Sequence, residues 1–146
     1  MKKLLLTVIA ILFVPMFLYA QADKIEGTWI TEKGTSAVDI TKSGGKYAGK
    51  ISWLEEPNEN GKPKVDDENS DPELAKRPIM GLPLVKGFVY DSKKERWIDG
   101  SIYDPDNGKT YDCFAWFDDG NYDVLYLKGY VAGIKALGRK TVWKRK

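Results

Sequence analysis

No histidine occurs anywhere in the 146-residue chain, and there is a single cysteine, Cys113. Without imidazole the usual Ser–His and Cys–His nucleophilic arrangements are excluded, and so are most zinc sites. One cysteine cannot form an internal disulfide. Cys113 lies mid-run between Asp112 and Phe114, where a free thiol serves as a small buried hydrophobe and lacks a base to activate it. A convincing long helical pattern is also missing. So is an excess of charge, once the first residues are set aside. The formal net charge of +2 belongs to Lys2 and Lys3, and residues 21–146 hold 21 basic against 21 acidic side chains. The densest basic cluster is Arg139 and Lys140 followed by Lys144, Arg145 and Lys146, which reads as a solvated strand end. No nucleic-acid partner is expected, because such binding needs a basic excess or stripe.

What is present first is a leader. Met1-Lys2-Lys3 precedes an uncharged run from Leu4 to Tyr19, and small residues follow at Ala20 and Ala22. A basic start, a short apolar run and an A-x-A-like end are the parts of a secretory signal peptide. The run is short for a membrane span, which takes ~20 residues. The expected organisation is a leader over residues 1–20, cleaved after Ala20 or Ala22, and one domain over residues 23–146 that does not span the membrane once the leader is removed.

That domain reads as all-β. Gly100–Val131 sets the pattern, with runs rich in Tyr, Trp, Phe and Val separated by Asp106-Asn107-Gly108 and Asp118-Asp119-Gly120. Aromatic and β-branched residues suit a pleated, half-buried surface, and Asn-Gly or Asp-Gly supplies the positive φ of a tight hairpin. Eight strands are expected, at 25–31, 36–41, 46–54, 84–90, 95–104, 109–117, 122–130 and 140–144. Short turns between most neighbours favour a single eight-stranded antiparallel up-and-down β-barrel, since closure removes exposed edges. A sandwich is the alternative. One long loop, Glu55–Pro78, breaks the pattern with Pro57, Asn60-Gly61, Pro63 and an acidic stretch. A helical turn is expected after Pro72, capped by Asp71.

Several of these residues carry a resemblance. Gly27-Thr28-Trp29 on the first strand, with a basic residue after Trp143 on the last, resembles the calycin arrangement of lipocalins and fatty-acid-binding proteins. It implies a tryptophan packed across the closed end under an arginine, with Arg145 the candidate and Arg139 second. The wider pattern resembles DUF2147, a family of exported bacterial proteins of unknown function. Its pieces are Gly49-Lys50-Ile51-x-Trp53-Leu54, Asp67-x-Asn69-x-Asp71-Pro72, Arg77-Pro78-Ile79-x-Gly81-Leu82, Trp97-x-x-Gly100-x-Ile102-Tyr103-Asp104-Pro105, Lys128-Gly129-Tyr130 and Trp143-x-Arg145. The resemblance implies a lipocalin-like barrel exported in a Gram-negative bacterium, periplasmic or secreted. It brings no activity, cofactor or catalytic residue.

Candidate sites follow. Aromatic content points to binding of a small apolar or amphipathic ligand, or an envelope component, with Trp53, Tyr103, Tyr111, Tyr126, Lys128 and Tyr130 as candidate lining residues. Alternating positions leave open which strand face is inside. Gly27, Trp29, Trp143 and Arg145 are assigned to the barrel's closed end, and Asp67, Asn69 and Arg77 to pinning the long loop. Asp67, Asn69 and Asp71 have the alternate spacing of half a calcium loop, but lack its terminal bidentate Glu. The carboxylates Asp99, Asp104 and Asp112 fall on neighbouring strands, where pairing to Lys or capping of turns outweighs catalysis. The chain is therefore read as a binding protein rather than an enzyme, with an envelope interaction module as the alternative.

Overall fold

The computed structural model describes residues 19–146; the expected signal-peptide core at residues 1–18 lies outside them. Ten strands are present: β1 (Gly27–Ile30), β2 (Ser36–Ser43), β3 (Lys46–Leu54), β4 (Asn58–Glu59), β5 (Lys62–Pro63), β6 (Pro83–Asp91), β7 (Arg96–Asp104), β8 (Lys109–Trp116), β9 (Val124–Tyr130) and β10 (Arg139–Arg145). β4 and β5 pair only with each other. The other eight close into an antiparallel barrel in the order β1-β10-β9-β8-β7-β6-β3-β2. Trp29 of β1 faces Arg145 of β10 in the closing pair. Closure leaves no edge strand unpaired, and the sandwich alternative is set aside.

The inner face is now defined. Val38 and Ile40 of β2, Tyr47 and Ile51 of β3, Val85 and Phe88 of β6, Cys113 and Ala115 of β8, and Leu125 and Leu127 of β9 are buried. Alternation then sends Trp116, Tyr126 and Lys128 to the outer wall. One bulge changes the reading of a strand. Ala37 pairs with Trp53 while Val38 pairs with Ile51, so Ser52 is an extra residue on β3. The slip turns Trp53 outward, where it is 38% exposed, and gives the inner position to Leu54.

Several expected strand ends are shorter than the patterning predicts, those at Ile25 and Tyr122 most clearly. Ile25 belongs to a 3-10 turn, Asp23–Ile25, that tucks it fully beneath the barrel. Tyr122 remains in the turn before β9. The long loop carries the β4–β5 hairpin, a bridge between Val65 and Pro78, and a 3-10 turn at Leu74–Lys76. The 3-10 turn starts later than expected, its N-cap position is Glu73 with no side-chain cap, and Asp71 Oδ1 accepts the Glu73 amide at 2.9 Å just before it.

Candidate functional site

Because successive strands reverse direction, the connections divide between the two ends of the barrel. Residues 44–45, 92–95 and 117–123, with the segment before β1, gather at one end. Residues 31–35, 55–82, 105–108 and 131–138 gather at the other. The first end is closed and the second is open.

Two indoles close the first end. Trp29 and Trp97 are 0% and 1% exposed, and Phe117 packs against both at 5.8 and 5.3 Å between ring centroids. Each such ring buries about 150–250 Å², worth roughly 4–6 kcal/mol of transfer free energy at ~25 cal/mol per Å². Their N–H groups cannot be left unpaired in that environment. Trp29 Nε1 donates to the Ile25 carbonyl at 2.9 Å, and Trp97 Nε1 to the Ala22 carbonyl at 3.0 Å. The segment before β1 is thus the floor of the barrel. Arg145 covers Trp29 from outside, its guanidinium 4.2 Å from the ring centroid. Its nitrogens also donate to the carbonyls of Lys24, Glu26 and Tyr122 at 2.8–3.1 Å. Gly27 is required there. A Cβ on it would lie 2.5 Å from Arg145 Nη1, and its φ of +137° disfavours side chains.

Beside this floor, Tyr47 donates to Asp23 Oδ1 at 2.5 Å and Lys42 Nζ approaches the same oxygen at 3.1 Å. The Tyr47 hydrogen bond, helped by Lys42, holds the Asp23 carboxyl below its ordinary range. Burial and the facing carboxylate push the Tyr47 phenol well above its own.

At the open end the barrel contains a cavity of about 1200 Å³. Its deeper wall is apolar, with Ile51, Leu84, Ile102 and Trp143, and its rim is polar and charged. Residues of the long loop, from Glu55 to Asp67, form part of that rim. Across the mouth, Lys33 of the β1–β2 turn meets Asp106 of the β7–β8 turn at 2.9 Å. That hydrogen bond raises the Lys33 pKa.

The long loop is anchored by Asp66, which is fully buried. Arg77 Nε and Nη2 reach its Oδ2 at 3.0 and 2.9 Å, and Asn69 Nδ2 donates to the same oxygen at 3.0 Å. The Tyr103 hydroxyl donates to Oδ1 at 2.6 Å. Arg77 also lies 5.4 Å from the Tyr103 ring centroid. Burial, and then the Asp66 hydrogen bond, raise the Tyr103 pKa. A second contact fixes the loop on the β7–β8 turn. A Cβ on Gly108 would fall 2.0 Å from the Glu68 carbonyl oxygen, so only glycine permits the approach.

Of the residues assigned to ligand contact from the sequence, Tyr103 and Tyr111 border the cavity. The Tyr103 hydroxyl is committed to Asp66, and the Tyr111 hydroxyl accepts from Asn107 Nδ2 at 2.9 Å. Tyr130 touches the mouth, while its ring packs on Phe114 of the outer wall at 6.1 Å. Trp53, Tyr126 and Lys128 lie outside the cavity. Tyr126 stacks on Trp116 at 5.5 Å. Gly27, Trp29 and Arg145 come together at the closed end. Trp143 instead forms part of the cavity wall. In the loop, Asn69 and Arg77 hold Asp66, and the neighbouring Asp67 is exposed at the rim. The oxygens considered for calcium are turned to the backbone, with Asn69 Oδ1 accepting the Asp71 amide and Asp71 Oδ1 the Glu73 amide. Among the described residues no group of three or more acidic or thiol side chains is placed to hold a metal.

Residues not singled out by sequence reasoning include Asp66, Trp97 and Phe117. Asp66 sits at the head of the acidic run Asp66-Asp67-Glu68, and Arg77 eleven residues on was its one available signal. Catalytic carboxylates do not assemble either. Asp104 Oδ1 accepts the Asp106 amide at 3.0 Å, while Asp99 and Asp112 are exposed on the outer wall. Burial pushes the Cys113 thiol up to about 12, which leaves it unreactive.

No curated protein matches the chain significantly. Among solved structures, it is similar to one titled "Protein HP1028 from the human pathogen Helicobacter pylori belongs to the lipocalin family". The identity is 21%, the match covers 84% of this chain and 82% of that one, and the TM-score is 0.69, which establishes a lipocalin-like fold. The sequence profile of the bacterial family DUF2147, described as "Uncharacterized protein conserved in bacteria", matches residues 27–145, and the chain belongs to that family.

Proposed function

We propose that this protein is an exported, non-catalytic carrier that takes a small apolar or amphipathic molecule into the open end of its barrel. The observation that carries this is the cavity of about 1200 Å³, with its apolar wall and polar rim. Small-molecule sites have this composition and volumes of about 300–1,000 Å³, somewhat below this cavity with its open mouth included, and an eight-stranded barrel is just wide enough to hold one small ligand. Export rests on the leader at residues 1–20 and places the protein in the periplasm or outside the cell. Absence of catalysis rests on the missing histidine, on Asp104 and Asp66 being committed to a turn and to the loop anchor, and on Asp99 and Asp112 lying exposed outside the cavity. Native mass spectrometry of protein purified from its own host's envelope tests the proposal. A co-purifying small molecule supports it, and a bare polypeptide mass counts against it.

A second reading, an envelope interaction module, is favoured by the outer wall of β8 and β9. There Phe114, Trp116 and Tyr126 stack at 5.4–5.5 Å. Lys135 and Lys140 lie over Phe114 and Tyr126 at 5.7 and 5.4 Å, so those faces already have cation partners. Ligand carriage is preferred for that reason.

A further inference from the structure

We infer that the molecule carried in the open end bears a cationic head group, with its apolar tail inward and its head at the rim. This rests on the carrier function proposed above and adds the sign of the ligand's charge. The deep wall contributes apolar surface from Ile51, Leu84, Ile102 and Trp143 and no basic side chain. A buried carboxylate or phosphate head would therefore lack a counter-ion there, which is costly. Arg145, two residues beyond Trp143 on β10, is committed to Trp29 and to backbone carbonyls at the opposite end.

The rim selects in the same direction. Two of its cations are already paired, Lys33 with Asp106 at 2.9 Å and Lys64 with Glu56 at 3.6 Å. What remains among the described rim residues is Glu32, Glu55, Glu59, Asp67 and Asp104, against Lys62 and Arg139. The mouth thus presents net negative charge on a chain whose mature form is neutral overall. Tyr111 faces Ile102 across the β7–β8 pair, two residues along β7 from Asp104, and borders the cavity, whereas the Tyr103 ring already holds Arg77 at 5.4 Å. Aromatic faces beside carboxylates attract ammonium groups and give nothing to anions. A cationic amphiphile is matched at both ends: tail against the apolar wall, head among the rim carboxylates with the Tyr111 ring nearby.

The test compares probes of equal tail length on the full mature protein, below their micellar concentrations: dodecyltrimethylammonium, dodecyl maltoside and dodecanoate. Calorimetric titration is run in about 10 mM salt and again near 1 M, where the screening length falls from about 30 to about 3 Å. The expected result is dodecyltrimethylammonium binding about tenfold tighter than dodecanoate at low salt, with the gap closing at high salt. The double variant Glu55→Gln, Glu59→Gln alters only exposed loop side chains, and narrows the gap without changing dodecyl maltoside affinity. Dodecanoate binding as tightly as the cation overturns the head-group inference and leaves carriage standing. No saturable binding of any of the three overturns both.

Discussion

The Arg145 guanidinium lies 4.2 Å from the centroid of the Trp29 ring and donates to three backbone carbonyls around it. One side chain thus seals the closed end and ties the last strand to the segment before the first. Trp29→Ala is expected to cost about 3–5 kcal/mol of unfolding free energy, as a buried aromatic truncation does. Arg145→Lys keeps the charge but cannot reach three carbonyls with a planar fork, and is expected to cost about 1–3 kcal/mol. Urea denaturation measures both. A neutral Arg145→Lys would mean the charge alone matters.

Asp66 and Tyr103 make the corresponding connection for the long loop. Asp66→Ala leaves Arg77 and Asn69 without their shared acceptor and is expected to cost about 3–5 kcal/mol, as breaking a buried ion pair does. Asp67→Asn, one residue along and exposed, should change stability by no more than about 0.5 kcal/mol. Hydrogen exchange separates local from global effects: loop amides such as Asp66 and Ile79 lose protection first if Asp66 is the anchor. Equal effects of the two substitutions would contradict that role.

The same pair of residues shows where sequence reasoning stops. Strand positions are legible because alternating aromatic and β-branched residues are bounded by turn residues such as Asn107-Gly108. The inner face is not, because β8 carries aromatics on both sides: Tyr111 inside, Phe114 and Trp116 outside, with Phe117 just past its end turned inward. Trp53 is misplaced by strict alternation because an unmarked bulge at Ser52 slips the register by one. Among three consecutive acids, nothing in the pattern marks Asp66 as the one that turns inward; besides Asn69 three residues on, its partners come from eleven and thirty-seven residues away. Trp143 and Arg145 share a face of β10, but two residues of strand separate cavity wall from barrel floor.

Acid and alkali should both weaken the floor through Tyr47 and Asp23. The folded Asp23 pKa lies below its ordinary 3.8, so its contribution is present above that value and lost as pH falls through the folded one. Tyr47 has a folded pKa above its ordinary 10.0, so its contribution is present below 10.0 and lost as pH rises past it. Tyr47→Phe is expected to lower the melting temperature at neutral pH and to flatten both limbs of its pH profile. Limbs of unchanged slope would show that other groups set them.

The two cleavage positions expected for the leader predict different starts for the exported chain, and the contacts around Trp97 favour one of them. The Ala22 carbonyl accepts from Trp97 Nε1, and Gln21 Nε2 donates to the Tyr122 hydroxyl at 3.1 Å. Cleavage after Ala20 keeps both contacts, whereas cleavage after Ala22 removes them and leaves the buried indole N–H unpaired. Intact-mass and N-terminal analysis of the exported protein is expected to find Gln21 first. A start at Asp23 would contradict this.

Carriage in the open end is tested most directly by a neutral apolar fluorophore, N-phenyl-1-naphthylamine, titrated into the mature protein and into Ile102→Trp. The bulkier side chain at Ile102 projects from the apolar wall into the cavity and leaves Trp29, Trp97 and Arg145 untouched. Saturable one-to-one binding that is weakened in the variant, with an unchanged circular dichroism spectrum, is the predicted result. Absence of saturable binding, or equal binding to both proteins, would contradict it.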